Sequence, residues 1–181
     1  MDVIREYHLR IVPPEPIYSD ILNFKKQFID TFGKLKYSKS KPHITLGLFR
    51  TSTKYEELIV KNFEQLSSIK KFQLEINGFN IFERAYVLFL DIPLTDSFYQ
   101  IQDSIKDIWS AEFQGIPSKL ISSRTPHMTI STTKDKKILH ASLDLFKKME
   151  YHHNFEVNHI VLTSRLLGKT WDWEHHIPLA N

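Results

Sequence analysis

One five-residue pattern, Pro-His-apolar-Thr-apolar, occurs twice and constrains this chain more than any other feature. The copies are Pro42-His43-Ile44-Thr45-Leu46 and Pro126-His127-Met128-Thr129-Ile130, their histidines 84 residues apart. Both sit in the same order of surrounding elements. Residues 17–32 carry Ile17, Ile21, Phe24, Phe28 and Phe32 at helical spacing, with Gly33 as a stop. Residues 97–113 repeat this with Phe98, Ile101, Ile105, Ile108 and Trp109. After each Pro-His strand the spacing predicts another helix, over 55–69 (Thr53 and Glu56 forming a capping box) and over 138–149. Two strands close each half: 72–82 and 86–92 in the first, 154–166 and 170–179 in the second.

A period of about 80 residues in two copies is too long for a solenoid. It predicts an α+β fold, bilobal and duplicated, with antiparallel-rich sheets facing each other across a central cleft. The expected organisation is a single domain over residues 1–181, with repeat halves at about 17–92 and 97–178. An additional strand, 5–12, alternates Tyr7, Leu9 and Ile11 against Glu6, His8 and Arg10. The nearly continuous apolar stretch at 86–92 predicts an interior strand covered on both faces.

Composition removes several classes of function. There is no cysteine, so disulfides, thiol nucleophiles and thiolate metal sites are excluded. No apolar run approaches the roughly 18 residues that span a bilayer. The first ten residues lack an apolar signal-peptide core, so the mature chain is expected to begin near Met1 and the protein to be cytoplasmic. A formal net charge of +3 falls short of a nucleic-acid wrapper. Lys34, Lys36, Lys39 and Lys41 nevertheless crowd the approach to His43. They read either as a solvated loop or as a funnel for a phosphorylated ligand.

Alternation along a strand puts His43 with Thr45 on one face and Ile44 with Leu46 on the other, and likewise His127 with Thr129 against Met128 with Ile130. Two imidazoles and two hydroxyls around one cleft suit phosphodiester chemistry. A neutral histidine can take a proton from water or a ribose hydroxyl, and a protonated one can give a proton to the departing oxygen. The threonines can hold the non-bridging oxygens. No metal or cofactor is needed.

The paired motifs "PHITL" and "PHMTI", each on a strand, resemble the His-x-Thr-x motifs of the two-histidine (2H) phosphoesterase superfamily, whose branches include the 2′-5′ RNA ligase-like proteins and cyclic phosphodiesterases. The resemblance covers essentially the whole chain. It implies His43 and His127 as the catalytic pair, Thr45 and Thr129 as phosphate-binding hydroxyls, no metal, and an RNA end or small cyclic nucleotide as substrate. The reaction it implies is opening of a 2′,3′-cyclic phosphate. Ligation or cleavage at a 2′-5′ linkage and non-catalytic RNA binding are the alternatives, and no membrane or obligate protein partner is evident. One departure from the family pattern concerns the base that often follows the second motif. Here the nearest is Lys134, beyond the strand, with Arg124 upstream as a substitute.

Other residues have plainer expectations. His8 and Arg10 are expected at the surface, with the cleft border as the alternative. Trp171 and Trp173 are expected to share a strand face in core or inter-lobe packing, with base stacking as the alternative. The doublets His152-His153 and His175-His176 point to opposite faces and chelate poorly. Ser122 and Ser123 need no role beyond a loop. Metallohydrolase chemistry lacks acidic ligands near either motif.

Overall fold

The computed structural model describes residues 2–33 and 40–181. Lys34, Lys36 and Lys39 lie outside the described residues. Among the described residues, nine strands and four α-helices follow in the order β1 (Ile4–Ile11), α1 (Ile17–Phe32), β2 (Ile44–Ser52), α2 (Glu56–Phe63), β3 (Phe72–Asn77), β4 (Phe79–Phe82), β5 (Val87–Asp91), α3 (Asp96–Glu112), β6 (His127–Thr132), α4 (Lys136–Phe146), β7 (His152–Val157), β8 (His159–Leu166) and β9 (Trp173–Pro178). The α+β, antiparallel-rich architecture is the one expected.

The helices form for the reasons their sequences state. In α1 the buried residues Ile17, Ile21, Phe24 and Phe28 make one stripe, and Gly33 at φ 87° ends it. Thr95 caps α3 by accepting from the Phe98 amide (3.2 Å), and Asp135 caps α4 by accepting from the Lys137 amide (2.7 Å). The second helix differs from expectation. The Ser52 hydroxyl, not Thr53, accepts from the Lys54 amide. A 3-10 turn over Thr53–Tyr55 leads into α2, and a second one over Glu64–Ser68 follows it, so the α-helical part is shorter than 55–69.

Each of the expected strands 72–82 and 154–166 is broken in two, at Gly78 (φ 74°) and Asn158. The break lets the chain change sheets. The leading pieces, β3 and β7, pair with each other in a separate two-stranded sheet. The trailing pieces join a seven-stranded sheet ordered β4-β5-β6-β2-β1-β8-β9. Within it the halves exchange hairpins. The β4-β5 hairpin of the first half lies along β6 of the second, while the β8-β9 hairpin of the second lies along β1, beside β2 of the first. Interior placement of β5 follows, with Leu88, Phe89 and Leu90 buried.

The two Pro-His strands share one irregularity. Leu9 pairs with Gly47 and Arg10 with Thr45, leaving Leu46 as an extra residue. Leu88 pairs with Ser131 and Phe89 with Thr129, leaving Ile130 as its counterpart. A bulge inserts one residue, bends the strand and re-aims the side chains beside it. Because each follows its His-x-Thr, the alternation reverses there, and Phe49 turns into the core with Ile44 and Leu46.

The opposite face of β1 is covered. Glu6, His8 and Arg10 are only 4–5% exposed, which corrects the surface position expected for His8 and Arg10. Glu6 sits across from both Arg50 on β2 and Arg165 on β8. It accepts from Arg50 Nε and Nη2 (2.9 and 2.8 Å) and from Arg165 Nε and Nη2 (3.0 and 2.5 Å). Burial pushes the Glu6 carboxyl up, but the two guanidiniums outweigh it and hold it below its ordinary range. One carboxylate thus clamps three adjacent strands.

Candidate active site

The seven-stranded sheet joins the two motif strands at a single register pair, Ile44 opposite Met128, between antiparallel β2 and β6. Continuing that register one residue each way sets His43 across from Thr129 and Thr45 across from His127. All four point away from the buried Ile44, Leu46, Met128 and Ile130, and all four are half-buried. The two motifs therefore meet antiparallel, centred on that pair. Each histidine faces the threonine of the other copy.

Both rings are held in the same way. His43 Nδ1 donates to the Lys41 carbonyl at 2.7 Å, and His127 Nδ1 donates to the Thr125 carbonyl at 2.9 Å. Each bond spans the intervening proline, whose fixed φ sets the carbonyl's direction. A carbonyl only accepts, so Nδ1 carries the proton and Nε2 keeps its lone pair. Ser123 Oγ also donates to the Thr125 carbonyl (3.3 Å), giving that loop serine a supporting place.

Burial lowers the affinity of both rings for a second proton. His43 is pushed down to about 4, first by burial, then by the positive charges of Arg10 and Lys25 and by His127, against the opposing Lys41 carbonyl. His127 is lowered by burial, with the Thr125 carbonyl opposing. Both are neutral near neutral pH.

The walls of the site differ. On the His127 side Phe82 and Phe89 stack at 4.1 Å and meet the ring edge-on, at 4.9 and 5.5 Å. On the His43 side, the His8 ring meets His43 edge-on at 4.9 Å, and Trp171 tilts over His8 at 5.5 Å. The Arg165 guanidinium lies 4.2 Å from the Trp171 ring. Trp171 precedes β9, so it does not share a strand face with Trp173, which packs against the core instead.

Two helix residues reach the backbone of the bulges. Lys25, 2% exposed, donates from Nζ to the Thr129 carbonyl (2.7 Å) and the Ile130 carbonyl (3.2 Å). Gln102 donates to the Leu46 carbonyl (3.3 Å). Each comes from the helix of one half and fastens the Pro-His strand of the other. Burial lowers the Lys25 ammonium to about 8. Sequence reasoning missed both, although each interrupts an otherwise apolar stripe: Lys25 between Phe24 and Phe28, Gln102 between Ile101 and Ile105.

Other candidates go elsewhere. Arg124 stands exposed against Asp103 (3.6 Å), and Lys134 is exposed beyond β6. The cations near His43 are instead Arg10 and Lys25. His175 meets Glu64 (3.2 Å), His176 lies against His159 (5.1 Å), and His153 against Tyr151 (4.6 Å). No group of three or more potential metal ligands occurs among the described residues. No helix among them is long and apolar enough to cross a membrane.

The sequence profile of the 2′-5′ RNA ligase superfamily matches residues 13–169. The chain belongs to this superfamily, the 2H phosphoesterases. Solved structures agree at the level of fold. Escherichia coli LigT complexed with 3′-AMP superposes with a TM-score of 0.63 at 13% identity, covering 98% of this chain and 96% of that one. The TT0787 protein of Thermus thermophilus gives 0.62 at 12% identity, covering 97% and 100%. No curated protein matches the sequence. The two-histidine motifs of this 2H chain lie within the matched span.

Proposed function

We propose that this 2H phosphoesterase opens a cyclic phosphate at an RNA end or nucleotide, using His43 and His127 as a general base and acid pair without a metal. The observation that carries the reading is the register pair Ile44–Met128, with two neutral imidazoles and two hydroxyls beside it on one face of the sheet. Neutral His43 takes the proton of the attacking water as its oxygen bonds to phosphorus. Protonated His127 gives its proton to the ribose oxygen as the P–O bond breaks. Thr45 and Thr129 donate to the non-bridging oxygens as charge builds. His43 suits the base because the nearby cations disfavour its protonated form. His127, whose lowering has burial and no cation among its causes, charges more readily when a phosphate anion arrives. That a LigT structure holds 3′-AMP, a monoester of the product class, supports a nucleotide as the class of ligand.

Incubation with adenosine 2′,3′-cyclic phosphate, followed by phosphorus NMR, tests this reading. The cyclic signal is expected to give way to one monoester, at the same rate with and without EDTA. Loss of turnover on chelation, restored by zinc, would replace the mechanism with a metal one. An unchanged cyclic phosphate alongside cleavage of a 2′-5′ dinucleotide would move the reading to that linkage.

The pH dependence follows from the signs. The base limb rises as His43 loses its proton, near pH 4, and the acid limb falls as His127 loses its own, below the ordinary 6.5. The kcat/KM profile is expected to be a bell lying wholly on the acid side of neutrality. A maximum above pH 7 would contradict the assigned environments.

A further inference from the structure

We propose that His8 is a positioning residue that commits the Thr45 hydroxyl to donate to the bound phosphate, making Thr45 and Thr129 unequal. This rests on the phosphate-binding role given to the two threonines above. His8 Nε2 lies 3.0 Å from Thr45 Oγ1. Its other nitrogen, Nδ1, is buried with no hydrogen-bond partner among the described residues. The ring is 5% exposed, between His43 and Trp171.

Two tautomers are compatible with that geometry, with opposite consequences. A proton on Nδ1 would leave a buried N–H orphaned, and Nε2 would then accept the only proton Thr45 has. A proton on Nε2 leaves only a lone pair unpartnered at Nδ1, and Nε2–H donates to Thr45 Oγ1. Orphaned buried N–H groups are the rarer case. The charges of His43, Arg10 and Arg165 disfavour a second proton, so only these two neutral tautomers compete. Burial is the first cause holding the ring neutral. With Nε2–H donating, the Thr45 oxygen is engaged as acceptor, and its hydroxyl hydrogen is free only for a ligand oxygen.

The second half has no such device. Arg10 pairs with Thr45 across the first bulge, but Phe89 pairs with Thr129 across the second. In the same register His8 corresponds to Val87. Neither Phe89 nor Val87 offers a side-chain donor, and the Thr129 hydroxyl makes no hydrogen bond among the described residues. Its rotor is therefore unbiased, whereas that of Thr45 is set before a ligand arrives. The bulge at Leu46 contributes by turning Thr45 back toward β1. The site thus grips one phosphate oxygen with a preset donor and the other with an adaptable one.

The test uses the full chain and two readouts that do not need turnover. Long-range proton–nitrogen NMR of the imidazoles near neutral pH is expected to show His8 with its proton on Nε2. A proton on Nδ1 would overturn the proposal. Inorganic phosphate binding is then compared among wild type, His8→Phe, Thr45→Val and the double variant. Each single change is expected to weaken binding about fivefold, the worth of one hydrogen bond, and the double no further. Additive losses, or no loss in His8→Phe, would overturn the proposal. His8→Gln places an amide N–H near the Nε2 position and is expected to return affinity to within about twofold of wild type; its failure to do so, with folding intact, counts against the role. Thr129→Val is expected to cost less than Thr45→Val, and the reverse order would contradict the asymmetry. A chain inactive on cyclic phosphates that still shows the Nε2 proton and the non-additive cycle refutes the reaction proposed above and keeps the positioning role. An active enzyme with the Nδ1 proton does the opposite.

Discussion

Replacing His43 by alanine is expected to lower turnover of a cyclic phosphate by about 10²- to 10⁴-fold, the usual worth of a positioned general acid or base. His127→Ala is expected to fall in the same range. The double variant should lose little beyond the worse single one, since proton removal and proton delivery serve one transition state. Michaelis constants should move less than kcat, because Thr45 and Thr129 still hold the phosphate. Neither ring is a core element: both are half-buried and fastened by one bond to a backbone carbonyl. Melting temperatures near neutral pH are therefore expected to change by only a degree or two. Steady-state rates on the cyclic nucleotide, paired with thermal melts, check both halves of the statement. Full activity in either alanine variant would end the two-histidine mechanism.

The largest effect on stability is expected at Phe49. It stacks on Tyr7 at 5.3 Å and packs tilted against Trp109 at 4.9 Å and Phe63 at 6.0 Å. Those neighbours continue into Phe113, which stacks on both Phe63 and Trp109. This aromatic layer joins β2 to the helices α2 and α3 beneath it. Phe49 is 2% exposed, so truncation leaves a cavity that its rigid neighbours fill poorly. Phe49→Ala is expected to cost about 3–5 kcal/mol. For a chain of 181 residues that lowers the melting temperature by roughly 10 °C. Calorimetry of the two proteins decides it. A shift under about 3 °C would mean that the layer repacks and is not a fixed support for β2.

Phe49 also marks where the sequence stops being legible. Simple alternation carried forward from His43 and Thr45 would place Phe49 on the same face as those two residues. The extra residue at Leu46 reverses the phase, and nothing local announces it, because a bulge is defined by the partner strand. What depends on local periodicity is readable: the span of α1, the strand at 127–132, and the division of each motif into a polar and an apolar face. What depends on distant partners is not. His8 has the pattern of a surface residue, yet Trp171 and Arg165, more than 150 positions away, cover it. The breaks at Gly78 and Asn158 become visible only once β3 is seen pairing with β7. Lys25 carries a faint signal, a charge within an apolar stripe. Its meaning requires the carbonyls of a strand in the other half.

The exchange of hairpins between the halves has a mechanical consequence. Severing the chain between Asp91 and Asp96 would cut the sequence between its two Pro-His strands, yet it would not release two pieces. The amino-terminal piece would keep β5 bound along β6 of the other, and the carboxyl-terminal piece would keep β8 bound along β1. Each fragment is thus a strut in its neighbour's wall, and parting them means unzipping β5 and β2 from β6 and β1 from β8 in the large sheet, and β3 from β7 in the small one. The covalent link between the halves is only one of several ties that hold them together.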